Sequence, residues 1–283
     1  MNYQWYPGHM TKAKRMMQED MKLIDLVIEL LDARIPYSSR NPDIDTLAGG
    51  KSRIILLNKA DLADTEGNRL WTAHFKERGF FVQELNSKAG TGFKSVHALI
   101  QEACREKTER DRRRGILNRP VRAMVAGIPN VGKSTFINSF AGRNSAKTGN
   151  KPGVTRGKQW IKVSKSLELL DTPGILWPRF EDQRVGLRLA LIGSINDEIL
   201  QTEELSLEAI HFLQNSYPQE LNARFGIPTD LEASDFLREI CEKRKCYRKG
   251  TEPDYHKAAG LLLDEFRNGQ IGKMTLEFPE ESA

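Results

Sequence analysis

The sequence predicts an α/β fold: a mostly parallel six-stranded sheet built around a phosphate-binding loop over residues 1–180, then a smaller all-α domain over 181–283. Three observations carry this. Gly127-Ile128-Pro129-Asn130-Val131-Gly132-Lys133-Ser134 matches G-x-x-x-x-G-K-[ST] between an apolar strand-like run and a helix-like one. Upstream of it, short apolar runs alternate with segments of helical period. After Trp177-Pro178 the helical period dominates to about residue 267, with breaks near Pro218, Pro228 and Pro253.

In chain order, Trp5-Tyr6-Pro7-Gly8-His9-Met10 is an aromatic turn, followed by a helix over 11–22 that carries Lys12, Lys14 and Arg15. Leu26-Val27-Ile28-Glu29-Leu30-Leu31 reads as a buried strand. Asp32-Ala33-Arg34-Ile35-Pro36 sits at its carboxyl end, where an open α/β sheet places ligand-facing loops. A short helix over 43–47 closes at Gly49-Gly50. The strand 53–57 runs straight into Asn58-Lys59-Ala60-Asp61, and a helix over 66–78 stops at Gly79. The strand 80–85 ends in Asn86-Ser87-Lys88-Ala89-Gly90. An amphipathic helix over 93–107 leads to a charged linker, Arg110-Asp111-Arg112-Arg113-Arg114-Gly115, before the strand 121–126 that feeds the phosphate loop. Segments 159–163 and 167–170 pair as an edge hairpin, the second ending in Asp171-Thr172-Pro173-Gly174. The last dozen residues are acidic and expected to fray.

A chain of 283 residues suits about two domains, each able to bury a core. The net charge of +5 favours a polyanionic partner. Cys104, Cys241 and Cys246 have no metal-ligand spacing and suit a reducing compartment. Neither a secretory pattern nor a bilayer-length apolar run is evident, so a cytoplasmic chain without membrane contact is expected.

The motifs specify chemistry. Glycines let the loop curl so that the N–H groups from Asn130 through Val131, Gly132, Lys133, Ser134 and Thr135 face phosphates at a helix N-terminus. Lys133 then reaches the β- and γ-phosphates, and the Ser134 hydroxyl ligates Mg²⁺. Asn58-Lys59-Ala60-Asp61 matches N-K-x-D. The Asp61 carboxylate can accept from guanine N1–H and the exocyclic amine, a pair that adenine does not offer. Asn58 braces the phosphate loop and the Lys59 stem stacks on the base, while Ser87-Lys88-Ala89 backs the guanine. This disfavours an ATPase or nucleotide kinase. Asp171-Thr172-Pro173-Gly174 matches D-x-x-G, with Asp171 holding Mg²⁺ through water and the Gly174 N–H meeting the γ-phosphate. Between the two phosphate motifs, Thr155 is preferred to Thr148 as the switch threonine and metal ligand.

The order of these motifs is unusual. Small GTPases run phosphate loop, switch threonine, D-x-x-G, N-K-x-D, guanine-backing loop; here the last two come first. Joining the old termini near residue 107 and cutting after D-x-x-G keeps strand polarity and ligand geometry, because circular permutation is tolerated where termini lie close.

With this order and the Trp5-Tyr6-Pro7-Gly8-His9-Met10 opening, the chain resembles the circularly permuted GTPases of the ribosome-biogenesis GTPase A (RbgA/YlqF) type. The resemblance spans nearly the whole chain. It implies GTP/GDP and Mg²⁺ as ligands, the large ribosomal subunit precursor and its rRNA as partners rather than DNA, a monomer, and an RNA-binding helical domain. Ile175 stands where many GTPases place the glutamine that orients the attacking water, so the catalytic group must come from elsewhere or intrinsic hydrolysis is slow. The resemblance points to His9; the alternative is that His9 caps its helix or stacks on Trp5. Asn130 either helps to hold K⁺ beside the phosphates, as in related GTPases, or is an ordinary loop asparagine. RNA contact is expected at Lys12-x-Lys14-Arg15, at Arg110–Arg114 and above all at Lys243-Arg244-Lys245-Cys246-Tyr247-Arg248-Lys249. Because D-x-x-G now leads into the helical domain, order gained at the γ-phosphate is expected to reorient that domain. The rival readings are a nucleotide-dependent scaffold with little turnover and a tRNA-directed GTPase.

Overall fold

A computed structural model describes residues 8–117, 119–142, 159–178, 180–197, 200–249 and 252–279, with side chains in the first helix from Met10 onward. The aromatic opening through Pro7, Thr148 and Thr155 lie outside the described residues, as does the His9 side chain.

The centre is a six-stranded sheet in the order β3-β2-β1-β4-β6-β5. Strand β1 (Leu26–Asp32) is buried throughout and pairs in parallel with β2 (Ser52–Asn58) on one side and β4 (Val121–Ala126) on the other. Both faces of such a strand are covered, which is why it reads as a continuous apolar run. β3 (Phe81–Leu85) extends the sheet beyond β2, and β6 (Leu167–Asp171) extends it beyond β4. Only the edge strand β5 (Gln159–Lys162) is antiparallel, as its hairpin connection requires. The chain moves outward from β1 to β3, then returns to the opposite side of β1 as β4. The crevice between β1 and β4 is therefore a topological switch point, the place where open α/β sheets bind ligands.

Helix α1 (Gly8–Asp20) packs Met10, Ala13 and Met17 into the core. α2 (Asp43–Ala48) follows β1, and α3 (Thr65–Glu77) follows β2. The Asp64 side chain caps α3 by accepting from the Glu66 and Gly67 N–H groups. Trp71 and Phe75 of α3 stack on each other with ring centroids 5.5 Å apart and share a core cluster with Leu31, Ile55 and Leu57. The expected helix over 93–107 is broken at Cys104 into α4 (Phe93–Ala103) and α5 (Arg105–Arg113). The charged linker is thus largely helical. No residue of α5 is buried; Lys107 bridges Asp111 at 2.7 Å and the arginines face solvent, so i,i+4 pairing rather than packing supports the turn.

Helix α6 (Lys133–Ala141) follows the phosphate loop. Beyond D-x-x-G come α7 (Gln183–Leu191), α8 (Thr202–Ser216), α9 (Pro218–Phe225), α10 (Ala233–Lys243) and α11 (Tyr255–Arg267). α8 packs on both α10 and α11, and the apolar core is continuous from the sheet through Leu189 and Leu205 to Phe236 and Phe266.

The expected frayed tail is not found for residues 271–279. It returns to the sheet as a strap, with Met274, Thr275, Leu276 and Glu277 all buried. Met274 N–H donates to the Leu62 carbonyl at 3.0 Å and Leu276 N–H to the Arg34 carbonyl at 2.8 Å. The Glu277 carboxylate accepts from Arg188 and Ser38, and its carbonyl from Trp71 Nε1. A Cβ on Gly67 would lie 2.4 Å from Thr275 Oγ1, so this close approach of strap to α3 requires glycine. Acidic composition suggested disorder, but the tail's few apolar residues and one carboxylate each have a prepared partner.

Candidate functional site

Every described motif lies at the carboxyl ends of the parallel strands. Asn58 closes β2, Ser87 lies just beyond β3, Gly127 follows β4 and Asp171 closes β6. Sequence-distant groups meet there because parallel strands end on one edge of the sheet.

The phosphate loop has the backbone its glycines allow. Gly127 (φ 153°), Asn130 (φ 58°) and Gly132 (φ 100°) all have positive φ. A Cβ on Gly132 would meet Asn58 Nδ2 at 2.4 Å, and one on Gly174 would meet the Pro129 backbone at 2.8 Å and Lys133 Nζ at 2.9 Å. Gly174 of D-x-x-G is therefore laid directly on the phosphate loop, with no room for a side chain between them.

Lys133 is buried and donates to the loop's own carbonyls of Gly127 (3.1 Å) and Ile128 (2.9 Å). Burial pushes its ammonium down to about 8, against the pull of Asp171. Burial likewise raises the Asp171 carboxyl to about 6, with Lys133 opposing. Asp171 Oδ1 has no hydrogen-bond partner among the described residues although it is buried. A buried carboxylate oxygen left so is costly, and a hydrated cation would satisfy it. The residues thus fit Mg²⁺, and Ser134 on the first turn of α6 would offer a second oxygen from this chain.

With Lys133 on phosphate and Asp171 on the cation, these two groups are expected to set the pH range of binding. An ammonium is needed for phosphate, so affinity for nucleotide is expected to fall about tenfold per pH unit above about 8, with a proton taken up on binding. A carboxylate is needed for the cation, so the Mg²⁺-dependent part of the affinity falls below about 6, with a proton released. Calorimetric titration in two buffers of different ionisation enthalpy reads both signs.

Asn58 is the brace between two loops. Its Nδ2 donates to the Val131 carbonyl at 2.7 Å, and its Oδ1 accepts from the Ser87 hydroxyl at 2.8 Å and the Ser87 N–H at 3.1 Å. All of these groups are buried. Asn58→Ala would strand a carbonyl, a hydroxyl and an N–H, so a loss of about 3 kcal/mol is expected by urea unfolding with m unchanged. Lys59 adopts φ 58° and donates to Asp32 at 2.8 Å and to the Asn130 carbonyl at 3.0 Å. Asp61 and Lys88 are exposed at the rim, and the Asn86 side chain accepts from the Lys88 and Ala89 N–H groups to shape that turn.

Sequence reasoning flagged Asp32-Ala33-Arg34 by position only. The Asp32 carboxylate is fully buried, with Arg34 Nε at 2.9 Å on one oxygen and Arg34 Nη2 and Lys59 Nζ on the other. Burial acts to raise the Asp32 carboxyl, but Arg34 and Lys59 more than offset it and hold it well below the usual range. Asp32 is thus a fixed anion orienting the N-K-x-D lysine.

A profile for 50S ribosome-binding GTPases matches residues 122–243. The match begins within β4 and omits Asn58 to Asp61, as expected when N-K-x-D has moved ahead of the phosphate loop. Ribosome biogenesis GTPase A of Bacillus cereus is 50% identical over 281 residues, covering 98% of this chain and 94% of that protein. This chain belongs to the ribosome biogenesis GTPase A family. The Thermotoga maritima protein of that name is 31% identical over 277 residues, covering 98% of this chain and 95% of its own. The crystal structure of GNP-bound YlqF from T. maritima matches with TM-score 0.69 at 28% identity, over 95% of this chain and 99% of that one. Membership of the ribosome biogenesis GTPase A family makes this chain a guanine-nucleotide-binding, Mg²⁺-using GTPase with a permuted motif order.

Proposed function

We propose that this chain hydrolyses GTP on an immature large (50S) ribosomal subunit in the cytoplasm and uses the nucleotide state to control docking and release. The observation that carries the reading is the convergence of Asn58, Lys59, Asp171, Gly174 and the phosphate loop on one edge of one sheet, in a chain half identical to a ribosome biogenesis GTPase A. In this reading residues 1–180 hold the nucleotide and 181–283 meet rRNA, with the chain acting as a monomer and not on DNA.

In this reading the roles are those that the motifs and the family resemblance imply. Asp61 accepts from the guanine edge, Lys59 covers the ring, and Ser87 and Lys88 back it. The N–H groups from Asn130 to Thr135 surround the phosphates. Lys133 leaves its two loop carbonyls for the β- and γ-phosphates. Ser134, Asp171 and Thr155 would hold Mg²⁺, which would supply charge neutralisation for the transferring phosphoryl group. Gly174 N–H faces the γ-phosphate, and His9 positions or deprotonates the water. A K⁺ beside Asn130 would add to the positive charge there.

The C-terminal basic cluster divides into packed and exposed cations. Lys243 caps carbonyls of Phe225 and Gly226, and Arg244 lies over Phe225 and pairs with Glu265. Lys245, Tyr247 and Lys249 are exposed on the turn after α10, which the buried Cys246 anchors. Those three offer cations for phosphate and a ring for stacking.

The test is GTP turnover by the full chain, in K⁺ and in Na⁺, with and without purified large-subunit particles. Particle-dependent stimulation is expected. Binding of GTP with no stimulation by any ribosomal particle would favour the scaffold reading, which the buried, non-catalytic Ile175 otherwise supports.

A further inference from the structure

The crest of the phosphate loop is held from the helical end of the chain. Asn130 lies in the left-handed backbone region, which asparagine enters more readily than other residues with a Cβ, and neighbours on both sides hold it there. Its carbonyl accepts from Lys59 Nζ at 3.0 Å, and its Nδ2 donates to the Gly193 carbonyl at 2.7 Å. The adjacent Pro129 carbonyl accepts from the fully buried Ser194 hydroxyl at 2.8 Å. Gly193 and Ser194 form the C-terminal turn of α7, closed by their own N–H bonds to Ala190 and Leu189 carbonyls.

That turn is fixed in its place by α11. Arg267 donates to the Ala190 carbonyl at 2.9 Å and the Leu191 carbonyl at 3.0 Å, and pairs with Asp197. The Arg267 carbonyl accepts from Arg34 Nη1 at 3.0 Å, and Arg34 grips Asp32, which holds Lys59. The chain of contacts closes on itself: Lys59, Asp32, Arg34, Arg267, the end of α7, Asn130 and back to Lys59. It joins the base-reading motif and the phosphate loop to the first and last of the C-terminal helices.

We propose that Arg267 and Ser194 are positioning residues of the nucleotide site: they set the crest of the phosphate loop, and bound nucleotide in turn orders the α7–α11 contact. The inference rests on the GTPase assignment and adds a route that bypasses the switch segment after α6. Binding coupling is reciprocal, so a contact that shapes the loop must also respond to what the loop binds. The ring touches the loop crest and Lys59 without involving D-x-x-G, so GDP should engage it as GTP does.

Fluorescent GDP and a non-hydrolysable GTP analogue are titrated against full-length wild type, Ser194→Ala, Arg267→Ala and Arg267→Lys. Both alanine variants are expected to raise both Kd values about tenfold, with the preference for guanine over adenine kept. Arg267→Lys should restore part of the loss, since an ammonium still caps helix carbonyls. In wild type, saturating GDP should slow amide hydrogen exchange at residues 191–194 and 266–268. Kd values within twofold of wild type in both folded alanine variants would overturn the proposal. So would wild-type exchange at those amides that ignores GDP, a readout that stands even where a variant fails to fold. Failure of wild type to bind any guanine nucleotide would instead strike the GTPase assignment.

Discussion

Asp61→Asn is expected to raise the Kd for GTP about 1,000-fold and to create binding of xanthosine triphosphate, a site built to hydrogen-bond one edge discriminating strongly against an altered one. In the proposed site the carboxylate accepts two N–H groups from guanine, and charge makes such bonds about twice as strong as neutral ones. An asparagine amide would set a donor against the guanine amine. Xanthine carries a carbonyl there, which accepts that donor. The turn bearing Asp61 is rigid enough for the exchange to act locally. Ala60 N–H donates to the Leu85 carbonyl, Ala60 carbonyl accepts from Asn68 at 2.9 Å, and Leu62 N–H returns to the Lys59 carbonyl. Calorimetric titration with both nucleotides decides it. Unchanged GTP affinity would mean that the base is read elsewhere.

His9→Ala is expected to reduce particle-stimulated GTP turnover about 100-fold, the scale of a lost general base or water-orienting group, while GTP Kd stays within twofold. The side chain at the usual glutamine position, Ile175, is 2% exposed and apolar, so it neither reaches nor orients water. The middle of α1 is linked to this position through the segment 41–43. Asn41 Nδ2 donates to the Ile175 carbonyl at 3.3 Å, and Lys14 of α1 pairs with Asp43, two residues beyond Asn41, at 2.8 Å. His9 precedes Lys14 by only about 8 Å of helix axis. Single-turnover measurements with and without particles separate chemistry from binding. Turnover within threefold of wild type would remove His9 from the reaction.

Much of this protein was legible from local spacing. Phosphate loops, N-K-x-D and D-x-x-G are written in consecutive residues because each is one strand end plus one turn, and Asn58 proved to brace the phosphate loop as its motif implies. Their permuted order was equally plain, since a parallel sheet keeps its ligand edge wherever the chain is cut. The charged run after Lys107 was misread as a linker because polarity alone does not separate a solvent-exposed helix from a coil. The acidic tail was misread because its burial depends on Ser38, Trp71 and Arg188, which no local pattern joins to Glu277.

Nucleotide chemistry, motif order and family thus follow from residues adjacent in the chain. The buried Asp32–Arg34 pair, the Gly193–Ser194 turn and the hold of Arg267 on α7 come only from the folded arrangement. Arg34 and Arg267 are 233 residues apart. A hydrogen bond between such positions leaves no period or spacing behind, because its geometry is set by how the sheet and the last helix pack together.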